Sequence, residues 1–231
     1  MNNAASAFQE FRAGVFALAP LLVGVIPFGM IYGALALANG LSPAAALAMS
    51  SILFAGSAQF LFCQLLGVGA PATVIIAEVG LLNLRHALYS AALAPRIAHL
   101  PRHWKLALAY LLTDEAFAAI SQRESAGEAG SQRHWFYLGA GLALWGGWQL
   151  STAAGVMLGA RLPAHWSLDF ALPLTFIAIV APLIRNRAML ATAAVSGGVA
   201  LLAAGFPFKL GLLAAALAGI AAGWWVAEAR R

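Results

Sequence analysis

Long apolar stretches separated by short turn signals dominate this chain. Between Arg12 and Glu78 lie 65 residues without one Asp, Glu, Lys or Arg. A single helix of that length would extend roughly 97 Å, about three times the hydrocarbon thickness of a bilayer. The chain must therefore turn back inside the stretch. Asn39-Gly40-Leu41-Ser42-Pro43 ends one helix and opens another, with Ser42 as N-cap and Pro43 in the first turn. Gly67-Val68-Gly69-Ala70-Pro71 does the same for the next pair. Continued along the chain, the pattern predicts helical segments at 13–38, 43–66, 71–95, 104–121, 134–160, 169–184, 188–205 and 209–227. The fold class is all-α: a polytopic transmembrane helical bundle of seven to eight apolar segments, with broken or re-entrant helices among its options. No long polar linker interrupts it, so 1–231 reads as one integral membrane transport domain.

Composition supports lipid as the solvent. The chain is 62% hydrophobic and 9% charged, against about 25% charged for a soluble domain. The formal charge of +5 does not point to nucleic acid, because no run of five like charges exists and the basic residues sit in short groups between apolar segments. Glu10 and Arg12 precede an apolar run too long for a signal-peptide core, so the first helix is expected to be retained. Cys63, the single cysteine, lies inside an apolar run and reads as a small buried hydrophobe. Gly29 and Gly33, Gly155 and Gly159, and Gly219 and Gly223 recur four apart, a spacing that lets helix backbones approach closely.

Charge placement raises a topological problem. Arg96, Arg102 and Lys105 form the richest basic loop and should face the cytoplasm together with Arg12, yet three apolar segments separate them. Two arrangements remain open. In one, 43–66 and 169–184 each enter and leave on the same face, which puts only Arg123, Arg133 and Lys209 outside. In the other, all eight segments cross and the charge bias is weak.

A charge at the bilayer centre costs at least about 2.5–3.5 kcal/mol, so ionisable residues within apolar segments are the functional candidates. They are Glu78, Arg85, His86, Asp114 and Glu115. Glu78 and Arg85 share a helix face about 10 Å apart, too far to bond. Arg85 then needs a partner on another helix, with Asp114 or Glu115 available and Asp114 preferred. The pair reads equally as a substrate-carboxylate site or proton switch and as a structural pair fixing helix register. Gly56-Ser57-Ala58-Gln59 interrupts an apolar segment. A break there would expose a helix N-terminus suited to a carboxylate, while Ser57 and Gln59 also suit plain helix–helix hydrogen bonding. Phe28, Phe54 and Phe60 are candidates for an apolar pocket. Trp145 and Trp148 lie mid-segment and are expected to pack in the core. Metalloprotease, nucleophile-elbow, P-loop and Cys-x-x-Cys motifs are absent from the sequence, so neither an enzyme nor a cofactor is expected. An intramembrane enzyme built on His86 and Glu78 would use a spacing that fits no hydrolytic motif.

Four blocks occur in order: Pro27-Phe28-Gly29-Met30-Ile31-Tyr32-Gly33; Phe54-Ala55-Gly56-Ser57-Ala58-Gln59; Asn83-Leu84-Arg85-His86-Ala87-Leu88-Tyr89-Ser90; and Asp114-Glu115-Ala116-Phe117. In these the chain resembles the AzlC family, named for azaleucine resistance, over essentially its whole length and most strongly from 20 to 120. The resemblance implies export of valine, leucine and isoleucine, and in related members methionine, across the bacterial inner membrane. It also implies a small hydrophobic partner of the AzlD type. Transport driven by the proton gradient is expected rather than ATP hydrolysis. The alternative is a non-conducting subunit that supports a pathway formed by the partner. Within this reading Arg85, Asn83 and the groups near Gly56 hold the substrate carboxylate, and Asp114 or Glu78 accepts its ammonium.

Overall fold

A computed structural model of the protein describes residues 6–127, 132–159, 184, 186–207 and 210–229. Among them are nine helices and no strand. They are α1 (Ala7–Ala38), α2 (Pro43–Ile52), α3 (Gly56–Gly67), α4 (Ala72–Ile97), α5 (Arg102–Tyr110), α6 (Asp114–Ser125), α7 (Arg133–Gly159), α8 (Arg187–Leu202) and α9 (Leu210–Glu228). The all-α expectation holds. By length and composition α1 and α9 are the two described helices that are both long and apolar enough to cross a membrane. The segment expected at 169–184 and the position of Lys209 lie outside the described residues.

Local chemistry accounts for the helix ends. Ser6 caps α1 in a reciprocal capping box with Gln9, so the helix starts six residues before the apolar pattern does. Gly40, at φ +88°, ends it, with Leu41 N–H donating to the Ala36 carbonyl and Gly40 N–H to that of Leu37. Ser42 then caps α2, with Pro43 in the first turn, as its sequence predicts.

The chain forms two compact units: Met1–Cys63 with Val79–Trp166, and Gln64–Glu78 with Ser167–Arg231. In the second, α8 and α9 pack through small residues: a Cβ on Gly219 would stand 2.8 Å from Ser196 Cβ, and one on Gly223 would strike Thr192 Oγ1. The first unit is built on α1 and α7. A Cβ on Gly33 would lie 2.5 Å from the Thr152 carbonyl and one on Gly159 2.7 Å from Ala34 Cα, while Gly139 abuts the Phe11 carbonyl and Gly155 that of Met30. Partners rise together along both helices, so α1 and α7 run parallel with their backbones in contact. The four-apart glycines are therefore contact points, as expected.

Two hairpins enter this pair from opposite ends. Along α2, Ala46 accepts from the Tyr32 hydroxyl at 3.0 Å, Ser50 bonds Thr152 at 3.0 Å, and Ser51 donates to Gln149 at 3.1 Å. Falling α7 numbers show α2 descending toward the middle of the unit. After Leu53-Phe54-Ala55, α3 turns back: Gly56 faces Phe28 and Trp148, and Phe60 packs between Phe28 and Tyr32. Segment 43–66 is thus broken, one of the options its Gly-Ser-Ala-Gln block allowed.

The other hairpin corrects the expectation of one helix over 104–121. Trp104 packs on His134 and Trp135, Tyr110 accepts from Trp145 Nε1, and Leu111 touches Gly141, so α5 rises along α7. The chain then breaks at Leu111-Leu112-Thr113, with Thr113 extended at φ −117° and ψ 178°. Phe117 stacks on Tyr89 with ring centroids 4.5 Å apart, and Glu124 pairs with Arg96 at 2.8 Å, so α6 returns along α4. Asp114 and Glu115 sit in its first turn, where the positive end of the helix dipole favours acids; a break there suits them better than a continuous helix.

This return overturns the placement of Arg123 and Arg133 opposite Arg12. Arg123 pairs with Glu10 at 2.9 Å, and Arg133 meets Glu124 at 3.5 Å. The six basic residues Arg12, Arg96, Arg102, Lys105, Arg123 and Arg133 therefore gather at one end of the unit. We expect cysteines at His99 and Ala126, in a Cys63→Ser background, to react with an impermeant thiol reagent from one face of the membrane, and a cysteine at Asn39 from the other. Gly33→Val should cost at least about 1–3 kcal/mol by overpacking against backbone, and Gly24→Ala, which meets nothing within 4 Å, close to nothing. Thermal unfolding of the detergent-solubilised variants reads the difference.

Candidate functional site

The hairpin tips meet around one guanidinium. Arg85, mid-way along α4, donates from Nη1 to Asp114 Oδ2 at 2.6 Å and from Nη2 to Ser57 Oγ at 2.5 Å. Ser57 is the second residue of α3 and Asp114 the first of α6, so Arg85 spans the starts of two half-helices that arrive from opposite ends. The first ladder bonds run from Gln59 N–H to Ala55 O and from Phe117 N–H to Thr113 O. The N–H groups of Gly56, Ser57 and Ala58, and of Asp114, Glu115 and Ala116, thus lie ahead of their own ladders. Two sets of backbone donors and a guanidinium at one place make an anion-binding arrangement.

The surroundings are aromatic. Phe28 stacks on Phe60 at 4.4 Å, and Trp148 stacks on Tyr32 at 5.9 Å. A Cβ on Gly56 would stand 2.9 Å from Trp148 and 3.1 Å from Phe28, so only glycine lets the α3 start lie flush against these rings. Phe54 lies away from Phe28 and Phe60, against Tyr110 at the junction of the tips, where the Tyr110 hydroxyl donates to the Ser51 carbonyl at 2.5 Å. Several polar atoms there lack hydrogen-bond partners: Arg85 Nε, Trp148 Nε1 and both amide atoms of Gln59. Gln59 is wholly buried beside Tyr32, but the Tyr32 proton goes to Ala46. The Arg85 and Asp114 side chains are 26% and 41% exposed, so the pair is not sealed.

The structure separates the remaining candidates. Asn83 lies about 200° around α4 from Arg85; its Oδ1 has no hydrogen-bond partner, and it is not brought to the Ser57–Asp114 cluster. His86 packs edge-on against Tyr89 at 6.1 Å. Glu115 forms no salt bridge among the described residues, leaving Asp114 as the partner of Arg85. Glu78 belongs to the second unit; it is 6% exposed, with Oε1 lacking a hydrogen-bond partner. Sequence reasoning missed Tyr110 and Gln149, and it read Trp148 as core without its contact with Gly56. Mid-helix spacing alone carries no sign of either role.

On the basic side of the tips lies a cavity of about 390 Å³. Its walls include Leu93 and Ile97 of α4, Leu108 of α5, Leu112, and Ala116 of α6, with Lys105 the one charged group lining it. Such a space suits an aliphatic side chain better than a polar one. No metal-binding group of three or more His, Cys, Asp or Glu occurs among the described residues.

A family model described as AzlC protein matches residues 20–162. An uncharacterized membrane protein of Archaeoglobus fulgidus is 33% identical over 225 residues, 93% of this chain and 94% of its own length. The inner membrane protein YgaZ of Escherichia coli strain K12 is 29% identical over 216 residues, 89% of this chain and 88% of that protein. An uncharacterized membrane protein of Helicobacter pylori strain 26695 is 29% identical over 150 residues, 64% of this chain and 62% of its own. No solved structure matches. The family match takes in more than half of the chain and all of the Ser57–Arg85–Asp114 cluster, and this membrane protein therefore belongs to the AzlC family.

Proposed function

We propose that this chain is the larger subunit of a secondary transporter that exports branched-chain amino acids across the bacterial inner membrane. It works with a small AzlD-like membrane subunit and draws on the proton gradient. The observation that carries the reading is Arg85 held between the starts of two broken helices. Broken helices at membrane depth are tolerated where they enclose a polar cavity, and substrate sites of secondary transporters are built from them.

The chemistry fits a zwitterion with an aliphatic side chain. Its carboxylate is complemented by the donors at Gly56 and Ser57 together with Arg85, and its ammonium by Asp114. The aromatic group of Phe28, Phe60, Tyr32 and Trp148 and the apolar cavity beside the tips supply the greasy part of the fit. Proton coupling is assigned to the same carboxylate, Asp114, since one group that accepts either an ammonium or a proton links the two. In this reading α1, α4 and α7 cross the bilayer. At 26 and 27 residues, α4 and α7 reach roughly 39–40 Å, enough for the hydrocarbon core. The end bearing Arg12, Arg96 and Arg123 is cytoplasmic by the positive-inside rule.

Cells loaded with a valine-containing dipeptide test the substrate. Arg85→Ala, Asp114→Asn and Gln59→Ala, inserted at normal levels, should each slow valine efflux, the first two by about tenfold or more, as loss of a charge-assisted hydrogen bond implies. Unchanged efflux in all three would remove the site. For coupling, inverted vesicles holding this chain and an AzlD-like partner should take up labelled leucine and valine faster under an imposed pH difference. Equal uptake with and without the gradient, or from this chain alone, would contradict the coupling or the partner respectively.

A further inference from the structure

The two hairpins repeat one another in opposite directions. Each follows a long helix after a four-residue turn, 39–42 after α1 and 98–101 after α4. Their first arms have 10 and 9 residues, and their second arms 12 each. Both breaks have three residues, 53–55 and 111–113. In each, the first arm runs along α7 and the second returns along the preceding long helix. A shift of 57 residues carries the Tyr32–Phe60 ring pair onto Tyr89–Phe117. The same shift carries Ser57 onto Asp114, the two side chains that hold Arg85.

We propose that the hairpins are the two gates of an alternating-access cycle, α5–α6 opening at the basic end and α2–α3 at the opposite end, one at a time. This rests on the transport reading above. Each hairpin has its own fastening. The α5–α6 hairpin is tied at its far end, where Glu124 binds Arg96, Arg133 and the Tyr137 hydroxyl, and Arg123 binds Glu10. The α2–α3 hairpin is tied near its tip: Gln149 accepts from Ser51 and donates to the Ser50 carbonyl, and Ser50 bonds Thr152. The two fastenings share no residue. The cavity walled by Leu93, Ile97, Leu108, Leu112 and Ala116 gives the α5–α6 hairpin room to move against α4.

Arg85 supplies the exclusion rule. With one hairpin open it keeps a partner on the other, Ser57 or Asp114; with both open it would have neither, and an unpaired buried guanidinium is strongly disfavoured. Opening one gate therefore favours closure of its counterpart, and the two faces are linked through a single side chain.

The test needs no substrate. Ser57→Cys, the sole thiol in a Cys63→Ser background, is labelled with an impermeant thiol reagent in right-side-out and in inverted vesicles. Glu124→Gln should raise the labelling rate from the basic face and lower it from the opposite face, each by about three- to tenfold, the factor expected for one lost hydrogen bond to a charged group. Gln149→Ala should do the reverse. Glu10→Gln, which loosens Arg123, repeats the first result if Glu124→Gln fails to insert. Reciprocal change supports the gates even where valine efflux is absent, so the substrate and the mechanism fail separately. Faster labelling from both faces in each variant would mean simple loosening and overturn the proposal, as would no change in either.

Discussion

Arg85 needs partners, and this need organises the first unit. A guanidinium within an apolar helix is strongly unfavourable unless it is paired and hydrogen-bonded. Its partners, Ser57 and Asp114, stand at helix starts, and a helix can start at that depth only if the chain breaks there. Breaks leave backbone groups outside any ladder, and lipid cannot satisfy them. They must then be enclosed. Parallel α1 and α7, drawn together through Gly33, Gly139 and Gly155, and the rings of Phe28, Phe60 and Trp148 provide that enclosure. The glycine contacts and the aromatic cluster are therefore conditions for the charge, rather than separate sources of stability.

Much of this was legible from residues whose conformational demands are local. Asn39-Gly40 and Ser42-Pro43 name a helix end and a helix start by backbone chemistry alone, and the structure has both. Gly56-Ser57 marks a break because no other block of polar and small residues interrupts that apolar run. Arg85 and Asp114 could be paired by elimination, so few other ionisable residues lie in apolar segments. The break at 111–113 was not legible, since Leu111-Leu112-Thr113 contains neither Gly nor Pro. Its one sign was Asp114-Glu115, two acids that a helix accepts most readily in its first turn. Missing that break reversed the sense of everything after it, which is why Arg123 and Arg133 were expected at the wrong end. The stretch from Ser121 to Arg133 reads as a mixed-charge loop exposed to water. In fact α6 runs on to Ser125, and the Glu124 side chain is only 12% exposed among three partners. Parallel packing of α1 on α7 was out of reach for a different reason: small residues four apart announce a close contact without naming its partner or direction.

The paired helix starts are alike in geometry and unlike in charge. The α6 start carries acids of its own, Asp114 and Glu115, which already complement its dipole. The α3 start, Gly56-Ser57-Ala58, has none. Arg85 divides its bonds accordingly, a charged one to Asp114 and one to the neutral hydroxyl of Ser57. One side of the guanidinium thus faces a compensated helix end and the other an uncompensated positive one. A carboxylate bound at the α3 start would complement both that dipole and the side of Arg85 now facing Ser57. The ammonium of the same molecule would face toward Asp114, the only acid paired with Arg85. The inverted repeat supplies two equivalent cradles, and the replacement of a serine by an aspartate at shifted positions gives the cluster a negative and a positive side. A zwitterion can bind in one orientation only if its site is polarised in this way.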